Sequence, residues 1–176
     1  MPTRSTRRAV LAIALAAAGT AFVATPSFAY DENSTAAVNV DAKGIGLRGH
    51  DPVAYFTVGA PTPGNPEYSA SHGGVKYLFA SKTNLETFKK NPAKYAPQYG
   101  GFCAMGVANG VKLDGMPNVW RIHDGKLYLN VGPTVMKVWS SDIQKYDGFA
   151  VKNWPDIKNQ SPKALDRKST RLNSSH

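Results

Sequence analysis

Two tight turns constrain the fold of this chain more than any other feature of its sequence. Gly73-Gly74 separates two stretches rich in strand-forming residues, and Asp124-Gly125 separates two more. Glycine and aspartate accept the backbone angles that a two-residue turn between antiparallel strands requires. The sequence therefore predicts two β-hairpins, over residues 68–79 and 119–131, and argues against a regular alternation of strand and helix.

The turns also predict which strand residues face each other, because pairs are counted outward from the turn. The first turn gives three facing pairs: His72 with Val75, Ala70 with Tyr77, and Tyr68 with Phe79. The second turn gives Trp120 with Leu129 and Ile122 with Leu127.

Helical patterns follow each hairpin. Ser81 is suited to cap a helix that we expect to end at Asn91-Pro92. A second helix is predicted from Pro133, because apolar residues recur at helical spacing as far as Tyr146, with a candidate break at Asp147-Gly148. The predicted class is α+β: a small single domain with two β-hairpins, a short capped helix after the first hairpin and a C-terminal amphipathic helix.

The two ends of the chain are expected to lie outside this domain. Residues 1–29 have a basic start, an Ala-rich apolar run and a small-x-small ending, which predicts a cleaved signal peptide. Its paired arginines resemble the bacterial twin-arginine export signal, so we expect a periplasmic or secreted protein with no membrane association after cleavage. Residues 166–176 resemble the translation of a common sequencing adapter, and we expect an assembly artefact there. The remaining expected boundaries are a loose lead-in at 30–43, the folded domain at 44–157 and a tail at 158–165.

The charge of the region between these ends argues against nucleic acid as a partner. The whole chain has a formal net charge of +9. Between Tyr30 and Leu165, however, 15 Lys and Arg residues stand against 11 Asp and Glu residues, which leaves +4. No basic run interleaved with aromatic residues occurs there, so we expect neither DNA nor RNA binding.

The only cysteine, Cys103, lies in a glycine-flanked segment, with Met105 two residues later. If this segment is extended, both side chains point the same way, since residues alternate between the faces of a strand. A thiolate and a thioether are soft ligands that suit Cu(I). The sequence therefore predicts a metal site of Cys103 and Met105, with His72, His50 or Met116 completing the coordination.

Three alternatives remain open at this stage. Both sulfurs can fill a core without any chemistry. The chain can instead be an interaction or small-ligand module without metal, with a pocket lined by aromatic side chains that are equally typical of a core (Tyr55, Phe56, Tyr68, Tyr77, Tyr95, Tyr99 and Phe102). A thiol enzyme is the third, but no Cys-x-x-Cys motif, phosphate loop, serine triad motif or pair of catalytic carboxylates favours it.

The stretch from His50 to about Asn109 resembles a YHS domain. The resemblance rests on five features in order: Asp51-Pro52-Val53, Tyr77–Ser81, Phe88, Asn91-Pro92 and Tyr95. Metal-associated members accompany copper-transporting pumps and other metal-handling proteins, and they carry cysteines at places that here read Ala54, Ala80 and Asn84. The chain looks like an exported, stand-alone branch with a Tyr-Gly-Gly-aromatic-Cys-Ala motif, as at 99–104. The resemblance implies metal binding, with copper as the favoured ion and a periplasmic metal-handling protein as a partner.

Overall fold

The computed structural model describes the backbone of residues 30–173 and the side chains of residues 30–168. The predicted signal peptide and the last three residues of the adapter-like segment lie outside the described residues. Within the described part, no helix is long and apolar enough to cross a membrane.

The predicted α+β class is confirmed, with two separate two-stranded antiparallel sheets and a set of helices around them. The elements in chain order are α1 (Ala54–Thr57), β1 (Asn65–His72), β2 (Val75–Phe79), α2 (Lys82–Lys90), α3 (Pro92–Tyr95), α4 (Ala104–Ala108), β3 (Met116–His123), β4 (Lys126–Asn130), α5 (Pro133–Ser141), α6 (Ile143–Ile157) and α7 (Pro162–Asn173).

Both predicted hairpins form, and most of the predicted register is confirmed. The second hairpin pairs Trp120 with Leu129 and Ile122 with Leu127, and the first pairs His72 with Val75 and Ala70 with Tyr77.

The predicted pairing of Tyr68 with Phe79 is wrong. The register shifts after Ser69, which lies opposite Leu78, so that Asn65 faces Phe79. Pro66 lies inside this irregular stretch and has no N–H for a ladder bond, which is why proline in a strand accompanies a bulge or an edge.

The helix that follows the first hairpin begins and ends as predicted. The Ser81 hydroxyl accepts the Asn84 N–H at 3.1 Å and caps α2. Asn91 ends α2, and its side chain then accepts the Lys94 N–H at 3.2 Å as the cap of α3. One asparagine thus ends one helix and begins the next.

The C-terminal amphipathic pattern forms two helices rather than one. The chain leaves the helical conformation at Asp142 (φ −154°, ψ 74°), whose carboxylate caps α6 by accepting the Lys145 N–H at 3.1 Å. The candidate break at Asp147-Gly148 is wrong, because both residues lie inside α6. An aspartate that can cap a new helix interrupts the pattern more effectively than a glycine in mid-helix.

The buried side chains form two clusters. One lies between the first hairpin, α2 and the second hairpin, and the other packs α4, α5 and α6 against β4. Lys112, almost wholly buried, donates from Nζ to the carbonyls of Ala36 at 2.8 Å and Lys158 at 3.0 Å. This side chain therefore ties the expected lead-in and the expected tail to the domain, and Leu165 is also buried.

Candidate functional site

The segment around Cys103 is extended only at Phe102 and Cys103, so the condition under which the two sulfurs would lie on one face is not met. Tyr99 and Gly100 have positive φ angles of 53° and 61° and turn the chain. Any side chain at Gly100 would collide with the Ala37 carbonyl oxygen, 2.1 Å from an ideal Cβ position, which is why a glycine is needed there. Cys103 then directly precedes α4, and Met105 lies inside the helix. The period-two argument for placing the two sulfurs side by side therefore does not apply.

Cys103 is completely buried and hydrogen-bonded. Its Sγ lies 3.2 Å from Asn130 Oδ1, to which the thiol donates, and accepts the Gly106 N–H at 3.3 Å. Burial raises the pKa of the Cys103 thiol above its ordinary value, and nearby backbone N–H groups oppose this rise only in part. We therefore expect a protonated thiol at neutral pH.

Asn130 is the centre around which the sulfur-containing residues gather. Its side chain is 0% exposed; Oδ1 also accepts the Met105 N–H at 3.0 Å, and Nδ2 donates to Met136 Sδ at 3.6 Å. Met116 is its pairing partner across the second hairpin, at the end of the register shift between Met116 and Trp120. Cys103 and these three methionines are all the sulfur-containing residues of the described chain. We call Cys103, Met105, Met116 and Met136, together with Asn130, the sulfur cluster.

Three of the five ligands predicted from the sequence belong to this cluster, and the two histidines contact other parts of the fold. The His72 ring packs edge-on against Phe88, with ring centroids 6.2 Å apart. His50 Nδ1 lies 3.0 Å from the Leu47 carbonyl oxygen. Among residues 30–173, no group of three or more His, Cys, Asp or Glu side chains could hold a metal ion.

Sequence reasoning missed Met136 and Asn130. Met136 lies in the amphipathic pattern of α5, where a methionine is indistinguishable from an ordinary core residue. Asn130 ends β4, and the only sequence signal there is a polar residue at the end of an apolar strand. The sequence alone does not indicate that either residue lies near Cys103, because these contacts depend on tertiary packing.

Ala54, Ala80 and Asn84, the places where the resemblance implies cysteines in metal-associated members, surround a different buried side chain, Asp51. Its Oδ1 accepts the N–H groups of Val53 at 2.8 Å and Ala54 at 3.3 Å. Its Oδ2 accepts the Ala80 N–H at 2.9 Å and the Asn84 Nδ2 at 2.6 Å. Four N–H donors thus satisfy a carboxylate that is 0% exposed. None of the three positions carries a thiol, so this place offers no soft donor for copper(I).

The sulfur cluster approaches the surface at Met136. This half-buried side chain lines an open groove of about 450 Å³ between β3 and α5. The groove also contains Trp120, Arg121 and Lys137, and Ser140 Oγ lies 3.5 Å from Met136 Sδ. Cys103 itself lies deeper, behind Asn130.

The aromatic residues considered as a pocket lining belong to the core instead. Five are buried (Tyr55, Tyr77, Tyr95, Tyr99 and Phe102), and Phe56 and Tyr68 pack against them.

A second, larger groove of about 820 Å³ separates the second hairpin from α6 and contains Asp147. The hydroxyls of Tyr99 and Tyr128 both donate to the Asp147 carboxylate. Burial and this carboxylate raise the pKa of both tyrosines, which therefore remain neutral donors.

Comparison with known proteins identifies one part of the chain. Residues 53–99 match the family model of the YHS domain. No curated protein and no solved structure matches the sequence significantly. The matched region begins just after Asp51 and includes its partners Ala54, Ala80 and Asn84, but it ends before Cys103 and therefore before the sulfur cluster.

Proposed function

Since this chain contains a YHS domain, a family associated with metal binding and with copper, we propose that it binds one soft metal ion, copper(I), at the sulfur cluster. The Asp51 position is not the site, because four N–H donors already satisfy its carboxylate.

The observation that supports this proposal is that every sulfur-containing residue of the described chain lies beside one buried asparagine. Cys103 and Met136 contact Asn130 through their sulfur atoms. Met105 contacts it through its backbone N–H, and Met116 pairs with it across the second hairpin. The four residues come from separate parts of the sequence: the turn before α4, α4 itself, the start of β3 and α5. Thiolate and thioether sulfurs are the donors that select Cu(I) over harder ions. Carboxylate or histidine clusters of the kind that hold zinc or magnesium do not occur in the described part of the chain.

Cys103 would hold the ion as a thiolate, and Met136, Met105 and Met116 are the thioether candidates. Copper supplies a positive charge that compensates the buried thiolate, so binding releases the thiol proton. Below the pKa of the thiol, protons and copper compete for Cys103, and the apparent copper affinity should rise with pH. The N–H group of Gly106 remains available to stabilise the thiolate.

We also place the protein in the bacterial periplasm, on the strength of the signal peptide and twin-arginine pattern predicted for residues 1–29. Export by that route would deliver a folded protein, and copper could be loaded before export. A periplasmic metal-handling protein would then be the partner in copper transfer.

The alternative function is a non-catalytic interaction or small-ligand module without metal. The favouring observation is that the cluster is already satisfied: Asn130 bonds the thiol, the Met105 N–H and the Met136 sulfur at once. A network of this kind stabilises a core without any ion.

Copper loading under reducing conditions separates the two functions. The purified protein should retain about one Cu(I) per chain by elemental analysis, and Cys103→Ser, which keeps a donor for Asn130, should retain none. Met136→Leu conserves volume and should weaken affinity with little loss of stability. His72→Ala and His50→Ala test the remaining ligands predicted from the sequence. A wild-type protein that stays empty after loading would exclude the metal function and leave the metal-free module.

A further inference from the structure

We propose that the groove between β3 and α5 receives the metal as a small anionic complex rather than as a hydrated cation. This inference rests on the proposed function, because it concerns how copper(I) reaches the sulfur cluster. Beyond the proposed function, it names the surface where the copper complex binds, the negative charge of that complex and Met136 as the first residue to contact copper.

The charges of the groove are all positive. Arg121 on β3 and Lys137 on α5 are both exposed and line the groove, and no Asp or Glu is among its lining residues. A free monovalent cation approaching this surface is repelled, whereas an anionic complex is attracted. The volume of about 450 Å³ suits a small ligand rather than a macromolecular segment.

The groove leads directly to the sulfur cluster. Met136 and Ser140 both line it, and Met136 Sδ lies 3.5 Å from Ser140 Oγ and 3.6 Å from the buried Asn130 Nδ2. Asn130 Oδ1 in turn contacts Cys103 Sγ. A copper ion that enters here meets a neutral thioether first and the buried thiol second.

Transfer along this route is a ligand exchange without electron transfer. Copper remains Cu(I) throughout. One bond from copper to a ligand of the complex breaks as the bond to Met136 Sδ forms, and the anionic ligand leaves into the groove. The bond to Cys103 Sγ then forms as the thiol proton passes to the released ligand or to water.

The test compares two small carriers that both bind copper through sulfur but differ in charge: the anionic copper(I)–thiosulfate complex and the cationic copper(I)–thiourea complex. Stopped-flow quenching of tryptophan fluorescence follows transfer to the full chain, and elemental analysis gives the final occupancy. At low ionic strength, wild-type protein should accept copper from thiosulfate faster, and added salt should reduce the difference.

The double variant Arg121→Gln/Lys137→Gln should slow transfer from thiosulfate by about tenfold at low salt and leave transfer from thiourea unslowed. Lys82→Gln/Lys90→Gln, two exposed lysines on α2, removes the same charge away from the groove and should not slow either carrier. Equal rates from both carriers in wild type, or equal slowing by the two double variants, would overturn this inference while leaving the proposed function intact. No copper uptake from either carrier would overturn both.

Discussion

Replacing Asp51 by asparagine tests whether the hydrogen bonds that its buried carboxylate accepts are a structural network that holds this part of the fold together. Asparagine keeps the size of the side chain but replaces one carboxylate oxygen with an NH₂ group. Each oxygen of Asp51 accepts two N–H donors, so the new NH₂ group must face donors whichever way the amide is turned.

The magnitude follows from counting the bonds that survive. The Asn84 amide can turn and present its oxygen to the new NH₂ group, but the Ala80 N–H is a backbone donor and loses its acceptor. An unsatisfied buried donor costs about 1–3 kcal/mol, and each bond that changes from a charged to a neutral acceptor loses roughly a further 1 kcal/mol. Removing a buried charge offsets part of this sum. We expect a net destabilisation of about 3 kcal/mol, or a fall in melting temperature of about 10 °C for a domain of this size.

Thermal and urea unfolding followed by circular dichroism measures this change. The control is Asp156→Asn, an exposed position on α6, which should change the free energy of unfolding by less than about 0.5 kcal/mol. Copper occupancy of folded Asp51→Asn should equal that of wild type. A variant as stable as wild type would refute the bond count, and one that loses copper while Cys103→Ser keeps it would relocate the metal to Asp51.

Three further outcomes are expected. Burial lowers the pKa of Lys112 from 10.5 to about 8, so the unfolded chain binds this proton more tightly. The free energy of unfolding of wild type, relative to that of Lys112→Met, should therefore rise by up to about 3 kcal/mol between pH 8 and 10.5. Urea titrations at several pH values measure this difference. A difference that stays constant with pH would contradict the lowered pKa of Lys112. Native Cys103 should react slowly with a thiol reagent and quickly in denaturant, and rapid labelling of native protein would disprove its burial. Met105→Leu should weaken copper affinity while leaving the melting temperature nearly unchanged, and an unaltered affinity would remove Met105 from the site.

Local rules predicted the elements of this fold well, because turns and caps depend on residues a few positions apart. The pairs next to Gly73-Gly74 formed as counted, and Ser81 capped its helix. The prediction failed where a nearby residue favoured a different local structure. Pro66 shifted the register before it reached Tyr68, and Asp142 interrupted the amphipathic pattern by starting a new helix.

The candidate site was less predictable, because its members meet only through tertiary packing. The chemistry of Cys103 and Met105 was visible in the sequence, but their arrangement was not. The chain turns at Tyr99 and Gly100, where only a glycine fits beside the Ala37 carbonyl more than sixty positions away, and a helix rather than a strand follows Cys103. No sequence pattern around Met136 indicated that it would contact Asn130.

Asp51 and Asn130 are both buried and hydrogen-bonded, but they differ in charge, and this difference decides which of them suits the proposed site. A carboxylate has a full negative charge to satisfy, and four N–H donors around Asp51 do so completely. A neutral amide needs no such compensation and donates as well as accepts, so Asn130 can contact both a thiol and a thioether. A carboxylate in its place would repel a thiolate at Cys103 and could not donate to Met136. The soft donors therefore gather where the central side chain is uncharged, outside the matched YHS segment.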